Sequence, residues 1–231
     1  MHHHPAIFMR RPHRPDPGQG FLGGLALSFG RVHELCGPAR WTAALMVAQA
    51  MTGPILWVRP AWDHGRLHGG GLARFVDPGR LIFVDAPRVP DVLWTLEEAL
   101  RSGAVPLVVG ELPGPVGLTP MRRMQLACEA GLPPGEAEAG GRGLGLLLTP
   151  EGISPGAESR WRMAAAHRDA EEAGDAEGQA DDLSLLGWTL TRERDRKLPP
   201  QSWPVAMRAE GAVLAASPDP QGGVASAPVA S

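Results

Sequence analysis

Lysine is almost absent from this chain, whose 22 basic residues include a single lysine, Lys197. A working P-loop places a lysine directly after its second glycine, because that ammonium group reaches the β- and γ-phosphates of the nucleotide. No lysine lies near enough in sequence to serve any glycine-containing turn that precedes a helix-forming segment. This absence excludes a conventional P-loop ATPase site.

Metal-binding and redox motifs are also missing. Cys36 and Cys128 lie in separate apolar segments and form no CxxC pair, so we expect buried, reduced thiols. His64 and His68 have i, i+4 spacing, but glycines surround them and the glutamate of an HExxH site is absent. The histidine run at residues 2–4 is of a kind that is often incidental or left by a tag. We therefore expect no metal site.

The chain has no apolar run long enough to cross a membrane, and prolines interrupt its first residues, which lack the apolar core of a signal peptide. We expect a cytoplasmic protein without membrane contact. The net charge of −3 divides into +5 for residues 1–80, −3 for 81–150 and −5 for 151–231. With so little positive surplus, tight direct DNA binding is not the first expectation.

The stretch from residue 30 to residue 50 predicts a strand, a tight turn at Gly37–Pro38 and a helix. In α/β proteins such a turn aims backbone N–H groups and a helix N-terminus at one point, where a phosphate binds. Counted from Gly37, the P-loop lysine would fall at Ala43. If Thr42 supplies the hydroxyl instead, Trp41 takes the place of the lysine, and Arg40 is the nearest cation. These residues predict a degenerate nucleotide site.

Further strands and helices alternate along the chain, which predicts a mostly parallel sheet covered by helices on both faces. We predict strands at 55–58, 81–85, 105–112, 144–149 and 160–165, the last near the edge of the sheet, with helices starting at Asp91 and at Thr119–Pro120. Thr119 is expected to cap the second of these helices. Glu111, at the end of a predicted strand, is a displaced candidate for the acid that holds magnesium in P-loop enzymes.

The length of 231 residues suits one α/β domain with arms. We predict a flexible N-terminal arm at residues 1–20, a core at 21–166, an acidic loop at 167–182, a β-hairpin at 183–208 that completes the sheet, and a disordered tail at 209–231.

Six basic residues are candidates for DNA or partner contacts. They are the pair Arg122 and Arg123 on a predicted helix, and Arg192, Arg194, Arg196 and Lys197 in the predicted hairpin. A solvated helix face is the simpler interpretation of the first pair. The acids Glu193 and Asp195 weaken a DNA-binding interpretation of the hairpin.

The succession of segments resembles the ImuA family of RecA-like proteins over roughly residues 21–166, with a weaker match in the hairpin. The matching segments are 30–49 (GRVHELCGPARWTAALMVAQ), 53–58 (GPILWV), 77–86 (DPGRLIFVDA), 91–112 (DVLWTLEEALRSGAVPLVVGEL), 118–131 (LTPMRRMQLACEAG) and 158–165 (ESRWRMAA). Residues 101–112 match the segment that carries the magnesium-holding strand in RecA. Arg59 and Pro60 stand where RecA has its water-activating acid.

The resemblance implies a RecA-like P-loop-type fold without a dependable ATPase site, and no ATP or magnesium cofactor. It implies a non-catalytic accessory protein of damage-induced (SOS) translesion DNA synthesis. The implied partners are an ImuB-like inactive Y-family polymerase relative, RecA and, indirectly, an error-prone replicative-type polymerase, with nucleoid association through them. Two alternatives stay open: a weak ATPase that uses Arg40, Thr42 and Glu111, and a RecA-like DNA-binding repair factor.

Overall fold

A computed structural model describes residues 18–131, 143–167, 186–208 and 211–214. The strands are β1 Gly18–Leu22, β2 Leu25–Ser28, β3 Arg31–Cys36, β4 Ile55–Pro60, β5 Leu81–Ala86, β6 Leu107–Glu111, β7 Leu144–Thr149, β8 Ser159–His167, β9 Leu186–Asp195, β10 Gln201–Arg208 and β11 Gly211–Leu214. The helices are α1 Arg40–Gln49, α2 Gly69–Leu72, α3 Val89–Ser102 and α4 Leu118–Ala130.

Nine of these strands form one sheet in the order β11-β10-β9-β8-β3-β7-β6-β4-β5. The six strands from β8 to β5 are parallel, and β9, β10 and β11 join them antiparallel. The predicted α/β class is confirmed: a large, mostly parallel central sheet is flanked by helices, and the C-terminal hairpin is part of the sheet.

The sheet is covered on both faces. On one face, α1 buries Leu45 and Val47 in a core that also contains Trp57 from β4 and Trp161 from β8. On the other face, α3 and α4 pack against alternate residues of the same strands. Strands enclosed in this way read as continuous apolar runs, which is why β4, β6 and β7 could be recognised from the sequence.

One strand position was predicted wrongly. We expected residues 160–165 near the edge of the sheet, but β8 lies in its interior, between β3 and β9. The alternation of charged and apolar residues misled the prediction, because both arginines of β8 have acidic partners within the fold. Arg160 pairs with Glu34 and Arg162 pairs with Glu193.

Two details concern the start of α4 and the packing of α3 on the sheet. Helix α4 begins at Leu118 after Gly117, without a side-chain cap, so the prediction that Thr119 caps this helix is wrong. On β6, a Cβ atom at Gly110 would lie 2.4 Å from Leu96 Cδ1. Glycine at that position lets α3 pack directly on the strand.

The predicted arm, acidic loop and tail are described only in part. Residues 1–17 of the predicted arm, residues 168–185 with the predicted acidic loop, and residues 215–231 lie outside the described residues, whereas His167 is the last residue of β8. Gly211–Leu214, expected in a disordered tail, instead form β11. In the described part of the chain, no helix is both long and apolar enough to cross a lipid bilayer.

Candidate functional site

Three backbone donors of the turn between β3 and α1 are hydrogen-bonded within the protein. The N–H of Gly37 donates to the carbonyl of Pro150 at 3.0 Å, and the N–H of Ala39 donates to the carbonyl of Met163 at 3.0 Å. The N–H of Arg40 donates back to Gly37 O at 3.3 Å. In a phosphate-binding turn such donors point at the ligand. Three donors of this turn are already paired with carbonyl groups.

The turn is also held tightly against β8. Gly37 has φ = 89°, in the left-handed region that glycine tolerates best. A Cβ atom at this position would lie 2.6 Å from the carbonyl oxygen of Met163. The space next to the turn is therefore filled by the backbone of the neighbouring strand.

Arg40, the cation nearest the turn in sequence, is also engaged internally. Its Nη1 donates to Gly37 O at 3.1 Å, and its guanidinium carbon lies 3.8 Å from the centroid of the Trp41 ring. Burial lowers the pKa of Arg40, although nearby Glu111 and Asp63 oppose that shift. This arginine therefore braces the turn and stacks on a tryptophan.

A cleft of about 430 Å³ opens where the parallel strands end, and we call it the strand-end cleft. Its lining residues are Arg40, Pro60, Trp62, Asp63, His64, Glu111, Leu112, Pro113, Leu148 and Pro150. Glu111 is 8% exposed and accepts a hydrogen bond of 2.5 Å from the indole N–H of Trp57. The displaced acid of the sequence prediction thus lies beside Arg40 and binds a core tryptophan.

Thr42 does not contribute to that cleft. It lines a second cleft of about 420 Å³, the lateral cleft, together with His68, Gly70, Gly71, Arg74, Phe75, Trp188 and Met207. The residues of the predicted degenerate nucleotide site therefore lie in two places. Arg40 and Glu111 line the strand-end cleft, and Thr42 lines the lateral cleft. His64 and His68 are divided in the same way.

Sequence reasoning missed a buried network around Glu34 in β3. Glu34 is fully buried and accepts hydrogen bonds from Thr149 Oγ1 at 2.8 Å, Ser154 Oγ at 2.5 Å and Arg160 Nε at 2.8 Å. The hydroxyl of Ser154 in turn accepts from the N–H of Val116. The network ties together β3, β7, β8 and the loops at the carboxyl end of the sheet.

A second buried set, around His33, was also missed. His33 Nε2 lies 3.0 Å from the carbonyl oxygen of Ser28, which can only accept, so this nitrogen carries the proton. Nδ1 then accepts from the hydroxyl of Ser159 at 2.6 Å, and that oxygen accepts from the indole N–H of Trp161 at 2.8 Å. Burial lowers the pKa of His33 to about 4.

The His33–Ser159 pair is not a nucleophile that a substrate can reach. Both residues are 1% exposed, between strands of the central sheet. Burial raises the pKa of the thiols of Cys36 and Cys128 to about 12, with Glu193 adding to the effect at Cys36, so both stay protonated. In the described part of the chain, no three His, Cys, Asp or Glu residues form a group suited to a metal ion.

The structure gives the candidate basic residues different environments. Arg192 is 5% exposed, donates through Nε and Nη2 to Pro199 O, and packs over Trp161 and Trp203. Its role is to hold the hairpin.

The other five candidate basic residues are exposed. Arg123 pairs with Glu97 at 2.7 Å, and Arg196 lies 3.4 Å from Glu158. Arg122 lies on α4, Arg194 lies on β9, and the backbone N–H of Lys197 binds the Asp195 carboxylate.

Comparison with known proteins does not assign the chain to a family. No model of a known protein family matches the sequence. No curated protein shows a significant match to it.

Proposed function

We propose that this protein is a non-catalytic, RecA-like accessory factor of translesion DNA synthesis that acts through protein–protein contacts. The proposed partners are an ImuB-like polymerase relative and RecA, with an error-prone replicative-type polymerase reached indirectly. The partner names come from the resemblance of the sequence segments to the ImuA family. The non-catalytic character is supported by the geometry of the turn after β3.

One observation carries the non-catalytic part of the proposal: three backbone donors of the turn, together with Arg40 and Glu111, are engaged within the chain. The N–H groups of Gly37 and Ala39 bind carbonyls, and Arg40 binds the turn itself. Glu111 accepts from Trp57. Binding a nucleotide there would require breaking these contacts, without the lysine that compensates in a P-loop.

The free edge of the sheet at β5 supports the partner-binding part. In the described part of the chain, β5 is the last strand of the sheet and pairs only with β4. Its residues Ile82 and Phe83 are 48% and 39% exposed. An unpaired edge with apolar side chains is a template for a strand of another protein, which adds by main-chain hydrogen bonds.

Replacing Ile82 with lysine is expected to remove partner binding while the protein stays folded. Ile82 is already about half exposed, so the change should alter the free energy of unfolding by less than about 1 kcal/mol. A lysine on an edge strand disfavours pairing with another chain. The measurement is affinity capture with the tagged chain from DNA-damaged cells, followed by identification of the bound polypeptides.

Leu126→Lys provides the matched control, because Leu126 is 64% exposed on α4, away from β5. The natural chain and Leu126→Lys should capture an ImuB-like protein or RecA, and Ile82→Lys should not. Capture of neither partner by the natural chain would contradict the proposed function. Equal capture by all three proteins would place the interface elsewhere than β5.

The alternatives are a weak ATPase at the strand-end cleft and a DNA-binding repair factor. Arg40 and Glu111 line one cleft, which favours the weak ATPase. To bind a nucleotide, however, both side chains would have to release the protein groups to which they are now hydrogen-bonded. Exposed Arg194, Arg196 and Lys197 favour the second, whose mark would be an affinity that falls steeply with salt.

A further inference from the structure

The lateral cleft combines apolar walls with positive charge. Its aromatic residues, Phe75 and Trp188, are partly buried and pack against the core beneath α1. Its basic residues, His68 and Arg74, are exposed. None of the described residues that line it is a carboxylate. The cleft therefore suits a ligand that is partly apolar and negatively charged.

Arg74 is the permanent positive charge of this cleft. Among the residues that the structure describes, no carboxylate forms an ion pair with Arg74, whereas Arg59, Arg88, Arg101, Arg123 and Arg160 each have one. An arginine beside apolar walls binds a carboxylate strongly, because its planar group can donate two parallel hydrogen bonds.

One side of the cleft is lined by glycine, with the ring of His68 next to Gly70. Gly70 and Gly71 line it, and a Cβ atom built at Gly71 would meet no heavy atom within 4 Å. A polypeptide backbone can therefore approach this side more closely than a wall of side chains would permit. The volume of about 420 Å³ is at the lower end of the range for small-ligand pockets, which is enough for the last few residues of a peptide.

We propose that the lateral cleft binds the C-terminus of another polypeptide that ends in an apolar residue. A C-terminal residue carries its carboxylate and its side chain on the same Cα atom. The carboxylate binds Arg74, and the side chain lies against Trp188, Phe75 and Met207. Capture of a terminal carboxylate is one of the general modes by which proteins recognise peptides.

Charge favours this occupant over a nucleic acid. Among the described residues that line the cleft, the basic ones are Arg74 and His68. Binding of a nucleic acid needs a row of cations that neutralise successive phosphates. A single terminal carboxylate needs one arginine, and the cleft offers Arg74.

Fluorescence polarisation with the full-length protein tests the proposal. The probes are fluorescein-labelled hexapeptides Gly-Ser-Gly-Ser-Leu-X, in which X is Leu, Phe or Trp, each made with a free carboxylate and with a C-terminal amide. We expect saturable binding of at least one free acid. The matching amide should bind about tenfold or more weakly, since it loses a charge-assisted hydrogen bond.

Variants assign the binding to the cleft. Arg74→Ala should weaken binding of the free acid about tenfold, whereas Arg88→Ala, which removes an exposed arginine just before α3, should leave it unchanged. Trp188→Leu should weaken binding of the free acid, whereas Trp188→Phe, which keeps an aromatic ring, should keep most of the affinity. Circular dichroism should confirm that each variant is folded.

Four results would overturn the proposal. They are no binding of any free acid, equal binding of acid and amide, binding that is indifferent to Arg74→Ala, and binding of a labelled twelve-nucleotide oligothymidylate in place of the peptides. Since none of these measurements uses β5 or the proposed partners, the outcome is independent of the proposed function.

Discussion

Replacing Glu34 with alanine is expected to lower the free energy of unfolding by about 3–5 kcal/mol, the range found when one partner of a buried ion pair is removed. Glu34 is fully buried and accepts from Arg160, Ser154 and Thr149. Without it, the guanidinium of Arg160 and two hydroxyl groups lose their acceptor where water cannot easily replace it. Urea-induced unfolding followed by circular dichroism measures the change.

Glu98→Ala is the control for a surface carboxylate. Glu98 pairs with Arg101 on α3, and both side chains are 47% exposed. Such pairs contribute little, so the loss should stay below about 1 kcal/mol. A loss below about 1 kcal/mol for Glu34→Ala as well would contradict the structural role given to this network.

Stability is expected to fall by about 2 kcal/mol between pH 7 and pH 5 because of His33. The pKa of His33 is lowered by burial from its ordinary value of 6.5 to about 4, although the hydrogen bond to Ser28 opposes that shift. As the pH falls below 6.5, the unfolded chain takes up a proton that the folded chain does not. The folded state is therefore destabilised in acid. The stability that depends on an uncharged His33 is fully present only above pH 6.5, and it is lost as the pH falls from 6.5 towards 4.

Unfolding curves at a series of pH values check this expectation. The variant His33→Gln, whose amide does not titrate, should remove most of the loss between pH 7 and pH 5. The control His64→Gln changes an exposed histidine of the strand-end cleft and should leave the loss in place. If His33→Gln keeps the pH dependence of the natural chain, the assignment of the effect to His33 is wrong.

The sequence was most informative where strands are buried on both faces. The runs at 55–58 and 144–149 are strands of the parallel sheet, as their continuous apolar pattern predicted. Period and turn chemistry are local properties, so one sequence is enough to detect them.

Features that depend on distant partners could not be predicted in this way. Glu34 and His33 looked like ordinary polar residues of a strand, yet both are buried. A usable signal existed: a strand enclosed by neighbours on both faces has no solvent-facing side, so its polar residues must find partners within the fold. Which residues those partners are, Ser159 or Arg160 for example, follows only from the pairing of β3 with β8.

The candidate site shows the same division between local and tertiary information. The missing lysine and the turn at Gly37 could be recognised from the sequence. The structure adds that the side chain of Arg40 folds back onto that turn. The lateral cleft was not anticipated, because Arg74 and Trp188 are more than a hundred residues apart and meet only when β9 joins the sheet.

Equilibrium dialysis with radiolabelled ATP and Mg²⁺ tests most directly the claim that the turn after β3 does not hold a triphosphate. A P-loop ATPase in a parallel cell serves as the positive control. We predict no saturable retention of ATP by this protein at concentrations up to about 1 mM, which corresponds to a binding free energy weaker than about −4 kcal/mol. Stoichiometric, magnesium-dependent retention that is lost in Arg40→Ala would contradict the account.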